Sequence, residues 1–190
     1  TWTGEKITSA RAASLTGRWL FQYGTRRTAR QPVTRYGVGH MDIAKLREEI
    51  AADEGRRTTV YLCTASKRTV GIGHMLTADD PEWPMEVGDT ISDERVDELF
   101  NQDIATTLED CRIIFKDFDK MPEQAQRVFA NMAFQLGRYR LSAFKRSIKY
   151  ANEGSWLECS EEILDSKWAK QTPNRAERLS NRLAALSVPV

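Results

Sequence analysis

No apolar run in this sequence approaches the roughly 18 residues needed to cross a bilayer, so stable membrane insertion is not expected. Histidine is scarce, with only His40 and His74, and so is cysteine, with only Cys63, Cys111 and Cys159. Neither a CxxC nor an HExxH pattern occurs, so a zinc centre would lack its usual ligand spacing. An odd, sparse set of thiols also argues against a disulfide scaffold. No metal and no cofactor is expected. What is present suits an ordinary folded domain: 190 residues, 41% hydrophobic and 29% charged. A chain of that length buries about two thirds of the surface its unfolded form exposes, and needs neither metal nor disulfides to fold.

Net charge is also nearly absent, at +1, but its distribution is uneven. Residues 1–40 carry seven Lys or Arg against Glu5 alone, while the remainder holds 21 basic and 26 acidic side chains. The chain therefore divides into a basic N-terminal extension, 1–40, and a domain over 41–190. The extension reads either as a solvated arm or as a surface for an anionic envelope component or nucleic acid. Its glycines and Pro32 interrupt every element, leaving a weak helix over Glu5–Leu15 and a short strand over Arg18–Tyr23.

Periodic order begins at Asp42. Ile43, Leu46 and Ile50 recur at helical spacing behind an Asp N-cap, which predicts a helix over 43–53 stopped by Gly55. Thr58–Tyr61 and Thr69–Val70, separated by the turn-like Thr64–Lys67, predict a β-hairpin that opens a small sheet. A loop over 78–90 follows. Ser92, with Asp93 and Glu94 behind it, starts a helix over 92–108 that joins the two parts. A second apolar helix runs from Pro122 to a stop at Gly137, and shorter helices cover 142–152, 155–166 and 174–185. The fold class is α+β: a small antiparallel sheet lobe and a larger helical lobe, with a cleft suited to an extended polymer.

Glu54 ends the first helix directly before a glycine and a strand. An acid there faces the cleft, where partial desolvation favours the protonated form that a leaving group needs. By itself it reads as the solvated surface acid that a Glu near a helix C-terminus usually is. The spacing around it is more specific: Glu54, eight residues, Cys63, five residues, Thr69, then Gly71-Ile72-Gly73-His74. Leu99–Asp103, Asn131–Gly137, Trp168 and Gln171–Ala176 continue the pattern in order.

These residues resemble the phage-type lysozyme (muramidase) family, in a variant with Cys at its second catalytic position. The resemblance covers about 42–186 and implies a lysozyme-like fold and cleavage of the N-acetylmuramic acid to N-acetylglucosamine bond of peptidoglycan. It implies Glu54 as general acid, with Cys63 and Thr69 orienting the water that attacks from the opposite face. Inverting hydrolases separate the two groups by about 6.5–9.5 Å. An unperturbed thiol is mostly neutral at pH 7 and so carries less charge than the family's Asp. Gln135 and Asn131 are expected to line the cleft as substrate contacts, Asn131 reading alternatively as a partner for backbone groups. His74 and Asp103 are expected to pair at the lobe junction. Arg175 is expected to brace the C-terminal helix, or else to meet peptide carboxylates. Trp156, Trp168 and Phe134 read as core.

The expected setting is a monomeric endolysin, made in the host cytoplasm and acting on the wall in the periplasm. A lysozyme domain of the virion tail, a peptidoglycan binder without turnover, and a lytic transglycosylase are the rival readings. A redox lock pairing Cys63 with Cys111 or Cys159 is a further possibility that spacing alone does not test.

Overall fold

The computed structural model describes residues 41–187, all within the second of two units into which the chain divides, Tyr36–Val190. The basic extension, with the helix and strand expected there, lies outside the described residues.

Helix α1 spans Ile43–Glu54. The Asp42 carboxylate accepts the Lys45 amide at 3.1 Å, satisfying one of the orphan donors of the first turn. Gly55, at φ +75°, closes the last turn in a conformation that an L side chain resists. Leu46 and Ile50 are fully buried, whereas Ile43 stays exposed, so the core-facing stripe is shorter than its sequence suggests.

Strands β1 (Arg57–Leu62), β2 (Arg68–Gly71) and β3 (His74–Met75) form an antiparallel sheet in the order β1-β2-β3. Tyr61 lies across from Thr69 and Leu62 across from Arg68, with an irregularity between Arg57 and Tyr61. The period-two alternation of a strand divides the faces. Val60 and Val70 enter a small core with Leu76 and Leu99, while Tyr61 and Thr69 take the other face. The loop after β3 returns along the outer edge of β1, where Thr59 bridges Thr90.

Helix α2 (Asp93–Ile114) is capped by Ser92, whose hydroxyl accepts the Arg95 amide. It joins the two lobes as expected: Leu99 belongs to the sheet core, while Val96, Phe100, Ile104 and Cys111 enter the helical core. The helix runs six residues beyond the predicted 108. Glu109, Asp110 and Arg112 hide the fact that Cys111 continues the buried stripe at helical spacing.

Helix α3 (Glu123–Leu141) breaks at Gly137 (φ +69°, ψ 165°) but resumes for a further turn, so the expected stop is a kink rather than an end. Helices α4 (Lys145–Glu153), α5 (Trp156–Leu164), α6 (Lys167–Gln171) and α7 (Pro173–Ala184) complete the lobe. The five-residue α6 is too short to show periodicity and was not expected. Trp168 on it is buried, while Phe134 and Trp156 pack half-buried at the edge of the core.

Three acids of α1 face arginines of α7 in antiparallel sequence. Glu49 meets Arg182, Asp53 meets Arg178 and Glu54 meets Arg175. The arginines recur at three- and four-residue spacing and so share one helical face. No described helix is long and apolar enough to cross a membrane.

Candidate active site

Asp53 and Glu54 sit in the last turn of α1, which holds no basic residue. Acids are unfavourable at a helix C-terminus, where the exposed carbonyls already concentrate negative charge. Two in succession therefore call for cations from elsewhere, and α7 supplies them. Arg175 is buried, with 9% of its side chain exposed, and donates through Nη1 to Glu54 Oε1 at 2.7 Å. Its Nε donates to Asn131 Oδ1 at 2.8 Å and its Nη2 to the Asn131 carbonyl at 3.0 Å. Asn131 passes the link on through Nδ2 to Asp53 Oδ2 at 2.9 Å, and Arg178 donates to both Asp53 oxygens at 2.7 Å. Burial pushes the Asp53 carboxyl up, but hydrogen bonds from Arg178 and Asn131 and the nearby arginine charges outweigh it and hold it below the ordinary carboxylate value.

Asn131 has no exposed surface, and both ends of its amide are occupied. The expectation that it touches substrate is therefore corrected. It braces Arg175 instead, because α3 turns it inward toward the α1–α7 contact. Arg175 does more than brace its own helix, since it fixes the orientation of Glu54. The Glu54 side chain remains 22% exposed, and its Oε2 accepts no hydrogen bond from a described residue. Gly73 (φ +76°) lies beneath it. A Cβ added there would sit 3.5 Å from Oε2, an ordinary contact, so the positive φ rather than lack of space is what asks for glycine beside the acid.

Cys63 follows β1, at the start of the hairpin turn. Its thiol is lowered from the ordinary value, first by the Lys67 amide, then by the Ala65 amide and the Thr69 hydroxyl. The neutral thiol expected from sequence is thus shifted toward thiolate, because the turn aims donors at the sulfur. Thr69 is 3% exposed. Its hydroxyl also reaches the Lys67 carbonyl at 3.0 Å, so one proton serves either neighbour. The Thr69 hydroxyl thus lies within hydrogen-bonding reach of the Cys63 thiol. Cys111 and Cys159 are buried and free, and burial pushes both thiols up, that of Cys159 to about 12. No disulfide joins Cys63 to either.

His74 pairs with Asp103 as expected, Nδ1 to Oδ2 at 2.9 Å. Asp80, which the sequence reading missed, lies 3.3 Å from Nε2 on the other side, outside good hydrogen-bond direction. The Asp103 hydrogen bond raises the imidazole most, burial opposes it, and the charges of Asp103 and Asp80 add to the rise. Gln135 is half-buried, and its carbonyl accepts from Trp168 Nε1 at 2.9 Å. It still lines a cavity of about 330 Å³ with Asp53, Asn174, Arg175 and Arg178. A separate cavity of about 800 Å³ beside Phe144 and Trp168 contains none of Glu54, Cys63 or Thr69. Among the described residues no cluster of three or more His, Cys, Asp or Glu is arranged to hold a metal ion.

The sequence model described as phage lysozyme matches residues 51–185, which include every element from the end of α1 through α7. The chain belongs to the phage lysozyme family. This lysozyme is similar to the probable T4-type lysozyme 2 of Dictyostelium discoideum, 28% identical over 156 residues that cover 72% of this chain and 92% of the relative. It is also similar to the peptidoglycan hydrolase gp36 of Pseudomonas phage phiKMV, 26% identical over 78% of this chain but only 16% of that protein. The pre-baseplate central spike protein Gp5 of Enterobacteria phage T4 matches at 25% identity over 70% of this chain and 26% of its own length. This family member is a glycoside hydrolase with the α+β architecture of a lysozyme.

Proposed function

We propose that this lysozyme is an inverting muramidase cutting the β-1,4 bond between N-acetylmuramic acid and N-acetylglucosamine, with Glu54 as proton donor and Cys63 with Thr69 serving the water. The observation that carries the reading is the held Glu54: one carboxyl oxygen is taken by Arg175, and the other, beside Gly73, accepts no hydrogen bond from a described residue. In the mechanism, Oε2 gives its proton to the glycosidic oxygen as the bond to the anomeric carbon breaks. The water attacks that carbon from the opposite face and passes a proton to the Cys63 thiolate, so the anomer inverts. The proton returns to Glu54 through solvent, and the enzyme is restored. Amide and hydroxyl donors around the sulfur favour the charged thiolate that this role needs.

The test is product analysis on purified peptidoglycan. Wild type yields new reducing ends with inverted anomeric configuration, and Glu54→Gln yields none while keeping its fold. Anhydro ends would make the enzyme a transglycosylase, and absence of turnover would make it a binder. Full activity in Glu54→Gln would remove the acid assignment.

The physiological reading is a monomeric endolysin acting on peptidoglycan during host lysis. A virion-borne lysozyme segment is the second reading, supported by the similarity to parts of a longer phage peptidoglycan hydrolase and of a baseplate spike. Mass spectrometry of purified virions and the native oligomeric state separate the two. A trimer found in virions favours the second.

A further inference from the structure

Tyr61 stands on β1 directly across from Thr69 and two residues before Cys63. Directly opposed residues of an antiparallel pair share a face, with Cβ atoms about 4.5–5.5 Å apart, so the ring lies beside the hydroxyl that serves Cys63. The Arg57 guanidinium covers the ring at 4.5 Å from its centre and holds it against the sheet. The phenolic hydroxyl makes no hydrogen bond to any described residue, although the ring is half-buried. A buried-edge tyrosine normally finds a partner for that group. Burial raises the phenol above its ordinary value, Arg57 opposes this, and the negative charges of Glu54 and Cys63 add to the rise. The phenol therefore feels both groups proposed for the reaction and stays a neutral donor.

We infer that Tyr61 is a substrate-touching residue of the hydrolytic site, its hydroxyl donating to an oxygen of the sugar at which the bond breaks. The inference rests on the muramidase reading above. In an inverting reaction the anomeric carbon passes between the proton donor and the group that serves the water. A donor on the same sheet face as Thr69, directly across from it, stands beside the reacting sugar rather than a distant unit of the strand. Holding that sugar as it flattens toward an oxocarbenium state acts on turnover more than on initial binding.

The experiment compares wild type with Tyr61→Phe on soluble, uncrosslinked peptidoglycan strands, counting new reducing ends. The ring and the Arg57 stack survive the change; only the hydroxyl is lost. The expected result is a fall in kcat of about tenfold with KM changed less, the scale of one neutral hydrogen bond made chiefly in the transition state. Tm and the rate of Cys63 alkylation by iodoacetamide remain those of wild type. Tyr61→Phe turning over within twofold of wild type overturns the inference while leaving the muramidase reading intact. So does a loss of activity accompanied by a lower Tm or altered Cys63 alkylation, which marks a structural role. If wild type itself releases no reducing ends, the muramidase reading fails first, and the assignment of Tyr61 falls with it.

Discussion

Replacing Arg175 by methionine keeps most of a buried stem but removes all three hydrogen bonds of the guanidinium. Asn131 Oδ1 loses its donor at a position with no solvent access, while the Asn131 carbonyl, inside α3, keeps its helix bond. Each buried acceptor left unpaired costs about 1–3 kcal/mol. Removing one partner of a buried ion pair costs about 3–5 kcal/mol. These costs overlap rather than add, since Glu54, 22% exposed, regains water, while Asp53 keeps Asn131 and Arg178. The expected loss is about 3–5 kcal/mol, a large share of the 5–15 kcal/mol that holds a typical domain. At about 2–4 °C per kcal/mol for a domain of this size, Tm falls by roughly 6–20 °C. Glu54→Gln, by contrast, keeps an amide oxygen for Arg175 Nη1 and stays within about 1 kcal/mol of wild type. Urea titration followed by circular dichroism measures both, with an unchanged m-value confirming a common unfolded reference. A loss in Arg175→Met below about 1 kcal/mol, or equal to that of Glu54→Gln, refutes the claim that Arg175 holds the site together.

Three further outcomes follow from the geometry. Cys63→Asp retains turnover, and the acid limb of its kcat/KM profile moves down by about 4.6 pH units at most, the distance between ordinary thiol and carboxylate values; an unmoved limb removes Cys63 as the base. His74 is raised in the folded state, so its contribution to stability is fully present below about pH 6.5 and is lost as pH rises through the raised value, while lowered Asp80 contributes above about pH 3.8 and fails as pH falls through its lowered value. Urea stability measured against pH should therefore fall on the alkaline side in wild type and lose that fall in His74→Gln. Gly73→Ala forces an L residue to φ +76° at about 1–2 kcal/mol and sets a methyl 3.5 Å from Glu54 Oε2; reducing-end release should drop by roughly tenfold or more, beyond the stability effect.

The elements that were legible in the sequence are those whose ends carry their own chemistry. Asp42 and Gly55 bound α1, Ser92 starts α2, and Pro173 opens α7, each through a local rule that needs no tertiary partner. The Glu54–Cys63–Thr69 spacing was legible because it falls within one helix end and one hairpin. What was not legible depends on residues far apart in sequence: Arg175 reaches Glu54 across 121 positions. Asn131 was misread for the same reason, since a polar residue on a cleft-side helix looks outward until Arg175 and Asp53 claim both ends of its amide. One signal for Asp53 was available. Two adjacent acids at the negative end of a helix, with no cation in the last turn, imply partners elsewhere. Asp80 left no such sign, because its loop caps Thr77 locally and meets His74 only after the sheet has formed.

The antiparallel ladder of acids on α1 and arginines on α7 also bears on the order of synthesis. A ribosome makes α1 before α7, so Glu54 emerges well ahead of Arg175, which lies 121 positions further along the chain. Until then Asp53 and Glu54 place two negative charges at a helix terminus of the same sign, without the cations that fix either carboxylate. The acid proposed for catalysis is thus set by a helix made long after its own, and a chain cut short before α7 lacks the brace that orients it.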